Sequence, residues 1–241
     1  MFYTLLGVLS NCFILINVFG IWIQLRTILR RKQFFKEAGE RGERPTAILS
    51  LNHFVTRLIA FFVVVIYGYS LRPFNHFLVW ANLSVVVILY VIILEIFIDR
   101  RDSTTRRIFF LVTLFLLAGL TAWAVGESAI PYTRSFAEFV IPFLAILIAQ
   151  SDLHQVYLMR RSGGTGAVAI RTLQTTVMKD ISVVAFGLVM GVSSGWPVIV
   201  SAGTSGVTKS LILWHFRWAR LSRLAAERRE ERGSASEKIH H

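Results

Sequence analysis

The sequence predicts an all-α, polytopic membrane protein of seven transmembrane helices, built as two parallel three-helix repeats joined by a linker helix (3+1+3). Three observations predict it. Of 241 residues, 54% are hydrophobic and 17% charged, a balance too apolar for an ordinary soluble domain of this size. The apolar residues lie in long runs rather than at helical or strand periods, and a run of ~20 residues is what a helix needs to cross a bilayer. Lysines and arginines gather in alternate connections between the runs, the pattern that marks the cytoplasmic side of a membrane.

Taken in order, the spans fall at roughly 4–28, 47–69, 76–98, 107–125, 136–159, 167–193 and 196–218. The first is expected to remain as a membrane helix and not to be a cleaved leader: no basic residue precedes it, no small-residue cleavage site follows, and it ends in Arg26, Arg30 and Arg31. The connection to span two carries Arg30, Arg31, Lys32, Lys36, Arg41 and Arg44, and Pro45 is placed to open span two as a first-turn proline. Arg100, Arg101, Arg106 and Arg107 lie between spans three and four, Arg160 and Arg161 follow span five, and Arg220, Arg223, Arg228, Arg229 and Arg232 follow span seven. The opposite connections hold only Arg72 and Arg134. These charges predict a multi-pass cell membrane protein with its N-terminus outside and its C-terminus cytoplasmic. The formal net charge of +12 then records topology and contact with anionic lipid head groups, not nucleic acid. The stretch ARLSRLAAERREER, ending at Gly233, predicts a basic helical tail over 219–241.

An internal repeat divides the chain further. LRTILRRKQ (25–33) matches HQVYLMRRS (154–162) at an offset of 129, and IYGYSLRPFNHFLVWANLS (66–84) matches FGLVMGVSSGWPVIVSAGT (186–204) at an offset of 120. In both passages a helix ends, a short turn follows and a new helix starts. The expected divisions are a first repeat over 1–104, a linker helix over 105–130, a second repeat over 131–218 and the tail. Parallel repeats of this kind are a transporter architecture, with the site near mid-membrane.

The 3+1+3 count, the outside N-terminus, the basic run closing each repeat's first helix, Tyr67-Gly68 near the end of span two and HFLVWANLS with Asn82 resemble the SWEET sugar transporters and the wider PQ-loop families. The Pro-Gln pair that names the second family is replaced, by Gly20-Ile21 or Gln24 in repeat one and by Ala149-Gln150 in repeat two. The resemblance implies a pocket lined by an asparagine from each repeat's third helix; Asn82 stands in the first place and Ala202 in the second. It also implies facilitative transport of a small polar metabolite by alternating access between the repeats. A non-transporting receptor-like or accessory subunit, binding a protein partner or lipid, is the alternative on the same fold. A homo-oligomer or a larger membrane complex is compatible with either.

The polar residues near mid-depth are the candidate substrate-binding set: Arg57 on span two, Asn82 on span three, Lys179 and Asp180 on span six, and Thr204 and Lys209 on span seven, with Ser201, Ser205 and Thr208 beside them. A charge at that depth costs ~2.5–3.5 kcal/mol on insertion scales, so each should face inward with a partner. One acid against three bases favours an anion-accepting cavity, where a carboxylate or phosphate completes the balance. KDEL receptors share the general architecture, and resemblance to them implies basic residues gripping a carboxylate. The plainer reading makes Gly203, Ser205 and Gly206 small-residue helix contacts. The bland reading has Lys179 and Asp180 neutralise each other; because consecutive helix residues do not face each other, Asp180 should instead partner Arg57 or Lys209, leaving Lys179 or its counterpart free for a ligand, flanked by Asn82 and Thr204.

Other chemistries lack a pattern. The single Cys12 excludes an internal disulfide. His53, His154 and His215, with Asp152 and Glu95, lie towards the cytoplasmic ends, and nothing in their spacing demands a metal or haem, so no cofactor is expected. Lys209 has the place of a retinal lysine, but the aromatic frame and counter-ion of microbial rhodopsins are missing from span three. No nucleophile elbow, phosphate loop or metalloprotease motif occurs, so no enzyme is expected.

Overall fold

A computed structural model describes residues 1–37, 46, 50–162, 170–222 and 224. Seven α-helices follow one another: α1 (Phe2–Glu37), α2 (Leu51–Ser70), α3 (His76–Arg100), α4 (Ser103–Val125), α5 (Ile130–Ser162), α6 (Ile170–Val189) and α7 (Val192–Leu221), with a 3₁₀ turn over Gly126–Ala129 before α5. No strand occurs among the described residues. Five helices, α1 to α5, are long and apolar enough to cross a membrane by length and composition. In α6 and α7 the apolar character is diluted by the Lys179-Asp180 pair and by a series of glycines, serines and threonines. The protein is a multi-pass membrane protein.

Local chemistry sets the ends. Ser50 caps α2 at Leu51, its hydroxyl accepting from the His53 N–H, and Pro45 lies outside the described residues. Asn75 caps α3 by accepting from the Leu78 N–H at 3.1 Å, while its own N–H donates to the Gly68 carbonyl and closes the α2–α3 turn. Arg101, in the left-handed region (φ 52°), ends α3, and the next residue, Asp102, already caps α4. The backbone N–H and the hydroxyl of Thr105 both donate to Asp102, and these bonds hold its carboxyl below the usual carboxylate range. Gly191 separates α6 from α7 with φ 87°, a conformation that only glycine adopts cheaply, and this break falls a few residues before the predicted one at 193–196. Residues 163–169 and most of the basic tail lie outside the described residues.

The chain packs as two compact units, Gly7–Ile141 and Met1–Leu6 with Pro142–His241. The second boundary falls inside α5 at Pro142, whose missing N–H interrupts the helix ladder. In the Gly7–Ile141 unit the core combines Ile14, Ile21, Leu25 and Ile28 of α1 with Phe54, Leu58 and Phe62 of α2 and Val85, Leu89, Ile92, Ile93 and Ile96 of α3. The three- and four-residue spacing of these positions gives each helix one inward stripe. Half of the most apolar stretch of α3 is buried, against 11% for α4, so α3 is the central helix and α4 a peripheral one. Phe97 and Phe109 stack α4 onto α3 with ring centroids 4.5 Å apart. The outer faces of α1, α4 and α5 carry exposed Leu15, Phe19, Trp22, Phe110, Leu114, Leu117, Phe139 and Ile146, the surface a bilayer would solvate.

The internal repeat has physical content within each unit. A Cβ on Gly68 would come within 3.1 Å of Val79 Cγ2, and one on Gly187 within 2.7 Å of Ile199 Cγ1, so α2–α3 and α6–α7 approach closely at matching places, Val79 and Ile199 being 120 positions apart. At the basic ends, Lys32 Nζ of α1 pairs with Glu95 of α3 at 2.6 Å, and Arg160 Nε of α5 donates to His215 Nε2 of α7 at 2.8 Å. Glu95 and His215 are also 120 apart, and Lys32 falls one residue from the equivalent of Arg160. In both triplets a basic group of the first helix holds a polar side chain of the third. His215 Nδ1 lies 2.7 Å from the Leu211 carbonyl, so the ring carries its proton on Nδ1 and accepts on Nε2.

Candidate functional site

The unit holding α6 and α7 contains a buried polar chain that joins three helices. Asp180 of α6 is 1% exposed, the most enclosed charged residue of the described chain. The Ser205 hydroxyl of α7 donates to its Oδ2 at 2.6 Å. Lys209, one turn further along α7, donates to Ser205 Oγ at 2.7 Å and to Asp152 Oδ2 of α5 at 3.2 Å. Thr208 donates to the same Asp152 oxygen at 2.7 Å. At the other end Lys179 Nζ lies 2.7 Å from Asp180 Oδ1. That contact is an ion pair without hydrogen-bond geometry, and Oδ1 has no hydrogen-bond donor. The close approach of α6 to α7 makes this possible: a Cβ on Gly206 would touch Asp180 Cβ at 3.3 Å.

The direct pairing of Lys179 with Asp180 agrees with the bland reading and corrects the expectation that Asp180 would turn to Arg57 or Lys209 and leave Lys179 or its counterpart for a ligand. The rule that adjacent helix positions diverge applies to Cβ directions, and a four-carbon stem reaches back across one residue. Asp180 does reach Lys209, but through the Ser205 hydroxyl. The expected excess of positive charge is also corrected for this unit, because Asp152 supplies a second acid. Lys179 and Lys209 balance Asp180 and Asp152, so this buried polar network carries no net formal charge. Neutrality matters energetically, since an unpaired charge at this depth is the costly state and a hydrogen-bonded pair is the tolerable one.

The other sequence-derived candidates behave differently. Thr204 is half-buried on α7, one residue from Ser205. Asn82 is 4% exposed on α3 and donates its amide to the Leu78 carbonyl of its own helix at 2.7 Å. Arg57 is half-buried on α2, in the other unit, with neither a hydrogen bond nor an ion pair among the described residues. Because α2 starts at Leu51, Arg57 sits about 9 Å along it at 1.5 Å per residue, closer to the basic end than the span 47–69 implied. Lys179, Asp180 and Lys209 are thus brought together, while Arg57 and Asn82 belong to the Gly7–Ile141 unit. Asp152 is the residue that sequence reading undervalued. It stood among possible metal ligands, whereas its one signal as a partner was a lone acid inside an apolar span with Lys209 elsewhere to neutralise. No group of His, Cys, Asp and Glu able to hold a metal occurs among the described residues.

No protein-family model matches the chain, and no curated protein matches it in sequence. Its structure is similar to that of a eukaryotic SWEET transporter, with a TM-score of 0.70 at 14% sequence identity, over 91% of this chain and 97% of the other. The likeness shows a SWEET-like seven-helix fold.

Proposed function

We propose that the chain is a facilitative transporter that moves a small polar metabolite by alternating access. The repeats over 1–104 and 131–218 rock about the linker span 105–130, and the basic tail 219–241 lies at the cytoplasmic, anionic lipid face, with the N-terminus outside. Arg57, Asn82, Lys179, Asp180, Thr204 and Lys209 supply the polar surface that the metabolite meets.

The observation that carries this reading is the neutral ion chain Lys179–Asp180–Ser205–Lys209–Asp152 inside a SWEET-like bundle. Apolar side chains of similar volume would hold three helices together at least as well, and such replacements are often neutral or stabilising. Ion pairs bridged by a hydroxyl have a different property: Ser205 and Thr208 can redirect their protons, and the lysines can exchange partners, without leaving a bare charge. This suits a bundle whose helices must pass between two arrangements while a polar solute goes by.

The test is uptake by liposomes containing the purified protein, against a panel of sugars, amino acids and organic anions. At least one solute should accumulate to equilibrium faster than in protein-free liposomes, and replacing Asp180 by Asn should slow it. Uptake equal to that of empty liposomes for every class would remove the transport reading in favour of an accessory subunit.

A further inference from the structure

Every half-buried Lys or Arg side chain described on the helices has a partner except one. Lys179 pairs with Asp180, Lys209 with Asp152, Arg134 with Glu138, and Arg100 donates to the Thr46 carbonyl. Arg57 alone among them has neither an ion pair nor a hydrogen bond with the described residues. Its helix does not present it to an open apolar surface. From Phe54 to Leu71 no residue is exposed, whereas α1, α4 and α5 carry rows of exposed leucines and phenylalanines. Phe54, three residues before Arg57 on its helix face, belongs to the buried core, and Phe61, four residues after it, packs against that core.

A guanidinium does not lose its proton inside a protein, and the described residues leave this one unbalanced, a charge that an ion from solution can neutralise. Its five N–H groups form a planar fork that fits two oxygens of a carboxylate or phosphate, and an ion without such oxygens would leave donors unused. We infer that Arg57 is the anchor for an oxyanion group, carboxylate or phosphate, of a small soluble metabolite, and that the lysines of the neutral chain are not. The inference rests on the transport reading and narrows its substrate to an anion. A lipid phosphate has the same chemistry and is the alternative source that the experiment must separate.

The full chain is purified in a neutral maltoside detergent, and its thermal unfolding followed with succinate, inorganic phosphate, glucose or dihexanoylphosphatidylglycerol. Succinate or phosphate should raise the Tm, and glucose should not. Arg57→Gln should raise the half-maximal concentration about tenfold or more, the scale of one charge-assisted pair, and Arg57→Lys should fall between. The exposed Arg26→Gln should respond as wild type. Without any anion, Arg57→Gln should unfold at or above the wild-type Tm, because no protein partner is lost; a lower Tm would make Arg57 a structural residue and overturn the inference. So would an Arg57→Gln protein that still responds like wild type, a wild type stabilised by neither oxyanion, or one stabilised only by the phospholipid. The two readings fail separately. Oxyanion binding without uptake removes transport and leaves the anchor, and uptake of a neutral solute unchanged by Arg57→Gln does the reverse.

Discussion

Replacing Asp180 by alanine should cost about 3–5 kcal/mol of stability, the range for removing one partner of a buried ion pair. The loss has two parts. Lys179 keeps its charge with no acid beside it, and the Ser205 hydroxyl loses the acceptor it meets at 2.6 Å while still accepting a hydrogen bond from Lys209. The 17% side-chain exposure of Lys179 lets it turn partly outward, which places the effect towards the lower end. Thermal unfolding in detergent measures it. Adding Lys179→Met to Asp180→Ala should recover a large part, because the stranded charge goes with its partner. A double variant as unstable as the single one would mean that the two residues are not coupled.

The second large effect is steric. A Cβ on Gly195 of α7 would run into the Gly187 carbonyl on α6, and the obstacle is backbone and not the far end of a flexible side chain. Gly195→Val should therefore force α6 from α7 and cost at least the ~3 kcal/mol upper end of ordinary overpacking. The separation would be felt at Asp180, whose Ser205 contact depends on the same helix pair. Loss of folded protein on size-exclusion chromatography, with Gly203→Val tolerated because nothing lies within 4 Å of its Cβ position, is the expected outcome. A Gly195→Val protein of wild-type stability would contradict the glycine contact.

Much of the fold was legible because membrane helices announce themselves through long apolar runs and basic ends. The seven helices and the repeat offsets needed no tertiary information. Helix ends were less legible: α2 begins where Ser50 can cap it, and α6 stops where Gly191 allows a positive φ, both set by single residues inside apolar stretches. The site was legible as a set of residue types and not as a set of pairs. Lys179, Asp180 and Lys209 stood out as charges in apolar surroundings. Their connection runs through Ser205, and their balance through Asp152 on a third helix, both of which depend on packing that spacing along the chain does not encode. For the same reason the half-buried cation left without a partner among the described residues is Arg57, where sequence reasoning had left Lys179 or its counterpart.

The central claim, that polar positions inside this bundle meet both sides of the membrane in turn, is tested most directly by a cysteine at 204. The exposed Cys12 is first replaced by alanine, so that Thr204→Cys carries the single thiol. In sealed vesicles of defined orientation, a membrane-impermeant maleimide should label position 204 when applied from either face. Labelling from one face only, or from neither, would contradict alternating access.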